Sequence, residues 1–199
     1  MSVIQLATQL RQPSGLVSRL TACLLPGQAQ QLSHWTVEQL NIQPYQHLLE
    51  IGYGTGNTLQ ETARRLKVGF LAGIDDSITH YRQAYRRNLR SIRDQLLQLH
   101  FGGLHELSYP PHYFHTIYGS NAHFQWEDPQ QEFIRLANLL KTGGRMVMVF
   151  QSPGGKIQDT RNAIGKIEED YLAAGLTDIR IRYLDSNPST CIAASAYKL

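Results

Sequence analysis

The chain has 199 residues, the length of one ordinary domain and enough to bury a core without disulfides or metals. Hydrophobic residues make up 42% of it and charged residues 18%, which excludes a disordered chain, a collagen-like chain and a coiled coil. A net charge of +3, two cysteines far apart and no apolar run of the ~18 residues that a membrane span needs predict a cytoplasmic protein.

The first 46 residues differ in pattern from the rest of the chain. They are typical of short helices, with breaks at Pro13-Ser14-Gly15 and Pro26-Gly27. Two interpretations are open: the segment packs against the edge of a sheet, or it covers the carboxyl ends of the strands, where open α/β sheets bind ligands. We therefore divide the chain into an N-terminal helical lid or substrate-side segment, residues 1–46, and a main domain, residues 47–199.

From residue 47, short apolar runs alternate with helical patterns, which predicts a parallel sheet covered by helices. Five strands are predicted in this part, at residues 48–51, 70–74, 96–101, 113–120 and 145–150. Ser77 is a good N-cap for the helix after the second strand. The apolar residues of that helix recur every three or four positions and predict one buried face: Ile78, Tyr81, Tyr85, Leu89 and Ile92.

The last third of the chain predicts a helix and then a hairpin. Asp128-Pro129 opens an earlier helix that Gly143-Gly144 is expected to end, and Gly175 is placed to end the last long helix. Two strands then follow around Asn187-Pro188. Because strands joined by a short loop must be antiparallel, an antiparallel partner is added to a mostly parallel sheet.

A glycine-rich turn, Gly52-Tyr53-Gly54-Thr55-Gly56, follows the first strand and opens a helix. Such a turn lets the backbone approach a ligand closely. Asn57 stands where a dinucleotide fingerprint has its third glycine, and the carboxylate of Glu50 would be poorly placed beside a pyrophosphate. Asp75 ends the second strand at the right distance to accept hydrogen bonds from ribose hydroxyls. Together these features predict a nucleoside ligand without a pyrophosphate, which disfavours a nicotinamide-dependent oxidoreductase.

These motifs resemble those of the class I S-adenosylmethionine-dependent methyltransferases, of the small single-domain, type 11-like kind. The resemblance runs from about residue 34 to the C-terminus and is strongest at residues 49–56, 73–77 and 139–145. It implies S-adenosylmethionine as cofactor. It also implies an α/β, Rossmann-like sheet of seven strands in the order 3-2-1-4-5-7-6, with the last strand antiparallel and helices on both faces.

The resemblance also implies which residues bind the cofactor. Carried over position by position, they are Glu50, Gly52, Tyr53, Gly54, Gly56, Asp75, Asp76, Ser77, Gly103, Leu104 and Asn121. Glu50 and the glycines of the turn would line the methionine part, Asp75 would bind the ribose, and Asp76 would lie beside the adenine. Two positions depart from the family, which usually has an aspartate at the places of Gly103 and His115.

The substrate side is expected at residues 120–126, after the fourth strand. Methyl transfer from a sulfonium is an in-line displacement with a neutral leaving group, so positioning and desolvation supply much of the catalysis. His123 is the candidate general base because the usual pKa of histidine suits proton removal near neutrality. The alternative is a helix-start histidine without a chemical role. No cysteine or carboxylate joins the histidines at metal-ligand spacing, so we predict no metal site.

An arginine stripe follows the second strand, at Arg82, Arg86, Arg90 and Arg93. It could contact RNA phosphates, but such a stripe is more often a solvated face, and no aromatic platform is interleaved with it in the sequence. We therefore expect a small-molecule methyl acceptor rather than a nucleic acid, and no membrane partner. The alternatives are an RNA methyltransferase that uses the stripe and a non-catalytic S-adenosylmethionine-binding protein.

Overall fold

The computed structural model describes residues 26–151, 157–186 and 189–199. In these residues the strands are β1 (His47–Ile51), β2 (Phe70–Asp75), β3 (Leu97–Phe101), β4 (Phe114–Ser120), β5 (Leu140–Gln151), β6 (Leu176–Ser186) and β7 (Ser189–Lys198). The helices are α1 (Pro26–Gln39), α2 (Asn57–Ala63), α3 (Ile78–Arg87), α4 (Leu89–Arg93), α5 (Pro129–Leu139) and α6 (Ile157–Ala173). Two 3₁₀ turns lie at Leu104–Glu106 and Ala122–Gln125.

The strands form one seven-stranded sheet in the order β3-β2-β1-β4-β5-β7-β6. Neighbours from β3 to β5 are parallel, whereas β7 is antiparallel to both β5 and β6. The predicted order and the antiparallel last strand are confirmed. The predicted turn at Asn187-Pro188 lies outside the described residues, as do the first 25 residues of the N-terminal segment.

Each face of the sheet is covered by its own apolar cluster. Because side chains alternate along a strand, Leu49 belongs to one cluster and Leu48 to the other. The first cluster contains Phe133 of α5 and Tyr171 of α6, both fully buried. In the second, Trp35 of α1 packs with residues of α2 and the sheet, so the described part of the N-terminal segment is built into the domain.

The helix predicted after Ser77 is in fact two helices, and its predicted buried face was wrong. Asn88 interrupts it, and the Asn88 side-chain amide donates to the carbonyl oxygens of Ala84 and Gly56. Ala84 is the buried residue of α3, whereas Ile78 is 47% exposed and Tyr85 is 41% exposed. The physical reason is a close approach: a Cβ atom added at Gly56 would lie 2.8 Å from the Cβ of Ala84. The smallest side chain therefore faces the glycine turn, and the larger apolar residues turn outward.

The expected end of α5 at Gly143-Gly144 was also wrong. The helix ends at Leu139, and Leu140 already pairs with Phe114 of β4. From that pair to the next, Thr116 with Arg145, β4 advances two residues (116 − 114) while β5 advances five (145 − 140). Gly143 and Gly144 lie in the resulting bulge. Glycine is common at strand bulges as well as at helix ends, so the pair marked an irregular strand here and not the end of the helix.

The contact between Gly56 and Ala84 predicts an unequal cost for two alanine substitutions. Gly56 (φ 78°) and Gly175 (φ 74°) share a left-handed conformation, which costs a residue with a side chain about 1–2 kcal/mol. Space is open around Gly175, but at Gly56 the new methyl group would collide with α3. We expect Gly56→Ala to lose an additional ~1–3 kcal/mol in urea unfolding. Equal losses in the two variants would show that α3 can move away from the turn without cost.

Candidate active site

A cleft of about 800 Å³ opens at the carboxyl ends of β1, β2 and β4. Its walls are the glycine turn after β1, the ends of β2 and β3, the turn after β4, and residues of α1. From β1 the chain continues to β2 on one side, whereas β4 lies on the other side. Open α/β sheets bind their ligands at such a point of reversal.

The Asp75 carboxylate joins the glycine turn to the start of α3. Its Oδ2 accepts a hydrogen bond from the Gly54 N–H at 2.9 Å. Its Oδ1 accepts from the Ser77 N–H at 2.9 Å and lies 3.0 Å from the Nδ1 of His80. The hydrogen bond to Asp75 is the main reason that the pKa of His80 lies above its usual value. Both carboxylate oxygens therefore already have partners.

Glu50 lies at the bottom of the cleft and is 2% exposed. The Tyr118 hydroxyl donates to its Oε2 at 2.9 Å and lies 2.9 Å from the hydroxyl of Thr62. Burial raises the pKa of Glu50 to about 8. A cation bound beside it would favour the ionised form and offset that burial.

Most of the residues that the resemblance assigned to the cofactor line this cleft. They are Glu50, Gly52, Tyr53, Gly54, Asp75, Asp76, Gly103, Leu104 and Asn121. Two others do not line it. Gly56 faces α3, and Ser77 caps that helix, its hydroxyl accepting a hydrogen bond from the His80 N–H at 3.3 Å. These two positions support the walls of the cleft from behind.

The two positions that depart from the family have local structural explanations. A Cβ atom at Gly103 would lie 2.7 Å from the ring of His105, so a histidine ring occupies the space where an aspartate side chain would begin. His105 itself lines the cleft, and the Gly103 N–H donates to Glu106. His115 accepts a hydrogen bond from the His47 N–H at 2.9 Å, between the amino-terminal ends of β4 and β1, away from the cleft.

The substrate-side turn places Asn121 at the cleft but not His123. The Asn121 backbone N–H donates to the Val149 carbonyl, and its Oδ1 accepts from the Gln151 N–H, so β5 fixes this residue. His123 is 8% exposed, lies outside the cleft lining and has no hydrogen-bond partner at either ring nitrogen. It packs against Phe124 at 4.0 Å between ring centroids, and burial lowers its pKa to about 4.

Several cleft residues were missed by sequence reasoning because no motif marks them. Leu32 and Ser33 reach the cleft from α1, and the Ser33 hydroxyl accepts a hydrogen bond from Thr58 at 3.1 Å. His80 also lines the cleft, whereas Trp126, another lining residue, lies within the predicted substrate-side segment. A histidine three residues after a helix N-cap has no distinctive signal, since its contact with Asp75 depends on how α3 meets β2.

Acidic side chains dominate the charge of the cleft. Six carboxyl groups line it: Glu50, Asp75, Asp76, Glu127, Asp128 and Glu132. No lysine or arginine is among its described lining residues. Besides Glu50 and Asp75, two more of these acids have partners, since Asp128 caps α5 through the Gln131 N–H and Glu132 lies 3.4 Å from Arg135. The net field at the cleft favours a cation over an anion.

Comparison with known proteins places this cleft in a family. The sequence matches a family described as a methyltransferase domain over residues 48–144. It is 26% identical over 177 residues to the uncharacterized methyltransferase YdaC of Bacillus subtilis, covering 88% of this chain and 96% of YdaC. The fold is similar to that of a SAM-dependent methyltransferase from Aquifex aeolicus, with a TM-score of 0.70, 14% identity, and coverage of 92% of this chain and 98% of that one. Residues 48–144 therefore form a methyltransferase domain, and the sheet has the fold of S-adenosylmethionine-dependent methyltransferases.

Cofactor binding is a feature of this methyltransferase family. Phosphoethanolamine N-methyltransferase 2 of Haemonchus contortus, solved in complex with S-adenosyl-L-methionine, is similar in fold to this methyltransferase. The TM-score is 0.68 at 14% identity, and the match covers 84% of this chain and 52% of that one. Within the described part of the methyltransferase, no helix combines the length and apolar composition that a membrane crossing requires. In the same residues, no three His, Cys, Asp or Glu side chains are grouped so as to hold a metal ion.

The Asp75–His80 pair predicts how stability depends on pH. The pKa of His80 is raised above its usual 6.5 in the folded protein. The pair therefore stabilises the fold fully below the unfolded pKa, and this contribution is lost as the pH rises through the folded pKa. We expect His80→Ala to lower the melting temperature at about pH 5.5 and to leave it nearly unchanged at about pH 9.

His80→Asn is the matched control for this experiment, because it keeps a hydrogen-bond donor that does not ionise. If the charge of His80 matters, His80→Asn should show the same loss of pH dependence as His80→Ala. A His80→Ala defect of equal size at both pH values would instead mean that His80 acts only through packing.

Proposed function

We propose that this methyltransferase binds S-adenosylmethionine and transfers its methyl group to a small-molecule acceptor that is neutral or cationic. The observation that carries the proposal is the charge of the cleft, which has five carboxyl groups besides the buried, largely neutral Glu50 and no lysine or arginine among its described lining residues. A phosphorylated or polycarboxylate acceptor would meet repulsion there. A volume of about 800 Å³ lies within the range of small-molecule sites.

The cleft residues fit the chemistry of the cofactor. S-adenosylmethionine carries a sulfonium and an ammonium group, and Glu50 supplies a buried carboxyl group with no cationic partner among the described residues. Asp75 is proposed to hold the ribose hydroxyls, Asp76 and Leu104 to lie by the adenine, and the glycine turn to line the methionine part. When bound, the cofactor supplies an electrophilic methyl group; the chain binds and orients both reactants and excludes water.

The acceptor is proposed to bind between the turn after β4 and the N-terminal segment. Trp126 offers an apolar wall, and Glu127 is an exposed acid beside it. Leu32 and Ser33 line the cleft from α1, which supports a substrate-side role for the N-terminal segment. We propose that residues 1–46 act as a whole as the substrate-side cover. No proton transfer is assigned to His123, because its ring lies in the core rather than in the cleft.

Cofactor binding predicts a competition at Asp75. A ribose diol would use both carboxylate oxygens, but one of them also contacts His80. Because the pKa of His80 is raised, the protonated ring holds Asp75 most strongly at acidic pH. We expect the affinity for S-adenosylhomocysteine, measured by titration calorimetry, to increase between about pH 6 and pH 8.5.

In His80→Ala the competitor is absent, so this part of the pH dependence should disappear and binding at the acid end should become tighter. The titration of Glu50 and of the ligand amine remains in both proteins, and the difference between the two pH profiles isolates His80. If both profiles have the same slope, His80 does not compete with the ligand.

Thermal unfolding with and without S-adenosylhomocysteine tests the proposed cofactor. Ligand at ~100 times its dissociation constant should stabilise the fold by about 2.7 kcal/mol, a shift of roughly 5–10 °C for a chain of this size. Asp75→Asn should abolish most of the shift, and NAD should give none. No shift with S-adenosylhomocysteine would contradict the proposed cofactor.

Transfer of radiolabelled methyl from S-adenosylmethionine to pooled amines, phenols, carboxylates and phosphomonoesters tests the acceptor class. Amines and phenols are the expected acceptors, and transfer only to anions would contradict the charge argument. Binding without transfer to any pool would favour a cofactor-binding protein that does not catalyse.

A further inference from the structure

The net positive charge of the protein lies on the surface formed by α3, α4 and β3. Residues 77–105 contain five arginines and one acid, Asp94, which gives 5 − 1 = +4. The whole chain has a net charge of +3, so the remaining residues sum to 3 − 4 = −1. Arg87 is used internally, since its guanidinium donates to the carbonyl oxygen and the hydroxyl of Thr55. The other four, Arg82, Arg86, Arg90 and Arg93, are exposed and are here called the arginine surface.

A groove with aromatic residues lies beside the arginine surface. It has a volume of about 360 Å³ and is lined by Tyr81 and Tyr85 of α3, Ile92 of α4, and Leu97 and Leu99 of β3. The Tyr81 and Tyr85 rings are 6.2 Å apart between centroids. Tyr81 also contacts Phe101 at 6.3 Å, which continues the aromatic surface along β3.

The aromatic and cationic groups share one side of the helix. Arg82 precedes Tyr85 by three positions, a spacing at which helical side chains are neighbours. Tyr85 is 41% exposed and Phe101 is 48% exposed, so their rings are open to a ligand. The sequence pattern alone assigned Tyr81 and Tyr85 to a buried face, and for that reason the arginines seemed to lack an aromatic platform.

We propose that the arginine surface and this groove bind single-stranded RNA. Guanidinium groups bind phosphates in a bidentate manner, and exposed aromatic rings stack on unpaired bases whatever their sequence. All four cations of the arginine surface are arginines, the cation that stacks as well as pairs, and Arg90 also lies 3.8 Å from the Asp94 carboxylate.

This binding is distinct from the methyl-transfer chemistry. In the sheet, β3 is the edge strand and lies two places from β1, whereas the turn with Trp126 and Glu127 follows β4 on the other side of β1. RNA on the arginine surface would therefore lie at the end of the cleft away from the proposed acceptor. The inference goes beyond the proposed function and stands whether or not the cleft binds S-adenosylmethionine.

Fluorescence anisotropy with a labelled oligouridylate of about 20 nucleotides tests the proposal at ~50 mM salt. We expect saturable binding that weakens steeply as salt increases. Replacing Arg82, Arg86 and Arg90 together with glutamate should weaken it at least ~10-fold. The matched control makes the same charge change at Arg161, Arg180 and Arg182, exposed arginines on α6 and β6 at the other end of the sheet, and should retain most of the affinity.

Tyr85→Ala separates stacking from charge. It should weaken oligouridylate binding several-fold without changing the salt dependence. Tyr183→Ala removes a comparably exposed tyrosine, 59% exposed on β6, and should have no effect. Melting temperatures of all variants, measured without ligand, exclude unfolding as the cause of a loss.

Three results would overturn the proposal. The first is no binding at low salt, and the second is equal weakening by the two arginine triples, which would indicate binding by overall charge. The third is binding to vesicles of phosphatidylglycerol and phosphatidylcholine without binding to the oligouridylate, since the partner would then be an anionic membrane.

Discussion

The Asp75 carboxylate is the contact on which the geometry of the cleft depends. It ends β2, accepts from the glycine turn through Gly54, and accepts from the start of α3 through Ser77. The glycine turn, 21 residues earlier in the sequence, is thereby fixed to the junction of β2 and α3 around one pair of oxygens. Glu50, the other acid deep in the cleft, is held largely neutral by burial, which raises its pKa to about 8. In the proposed function both acids serve the same cationic nucleoside ligand.

The orientation of α3 is set by its contact with the glycine turn and determines which side chains the outer surface presents. Gly56 admits Ala84 at a distance that any side chain would prevent, and Asn88 then closes the contact with hydrogen bonds to both sides of it. Because α3 is held by its small residues, Tyr81 and Tyr85 are turned toward the β3 edge rather than into the core. A tight turn beside the cleft therefore determines what the far side of the helix presents to solvent.

The sequence predicted those parts of the fold that local pattern decides. Strand positions and the hairpin at the end are confirmed, because apolar runs, turn residues and the short β6–β7 connection are all local signals. The sheet order is confirmed as well, but it was implied by the family resemblance and not by local pattern. The face of α3 could not be predicted in this way. Its apolar residues recur with good helical spacing, but the contact with Gly56 favours Ala84 as the buried residue. The spacing of apolar residues within a helix carries no information about a contact with a residue about 28 positions away.

The candidate site likewise contains residues that the sequence predicts and residues that it does not. The glycine turn and the aspartates that follow β2 are visible in the sequence because backbone geometry demands particular residues at particular spacings. His80, His105 and Ser33 reach the cleft only because α3, the turn after β3 and α1 pack as they do. His123 shows the converse: its usual pKa suits a base, yet its place among aromatic rings in the core lowers that pKa to about 4.

The distribution of charge connects the cleft with the surface outside it. A chain with a net charge of only +3 has collected carboxyl groups around the cleft and arginines on α3 and α4. The two regions meet at α3, whose first turn contacts Asp75 through His80 and whose later turns carry Arg82 and Arg86. Opposite fields on the two sides of one short helix would draw a cationic ligand into the cleft and keep a polyanion on the outer surface, since each is repelled from the other region. The low net charge of the chain therefore conceals a strong local polarity, and that polarity separates the ligands that the two surfaces can accept.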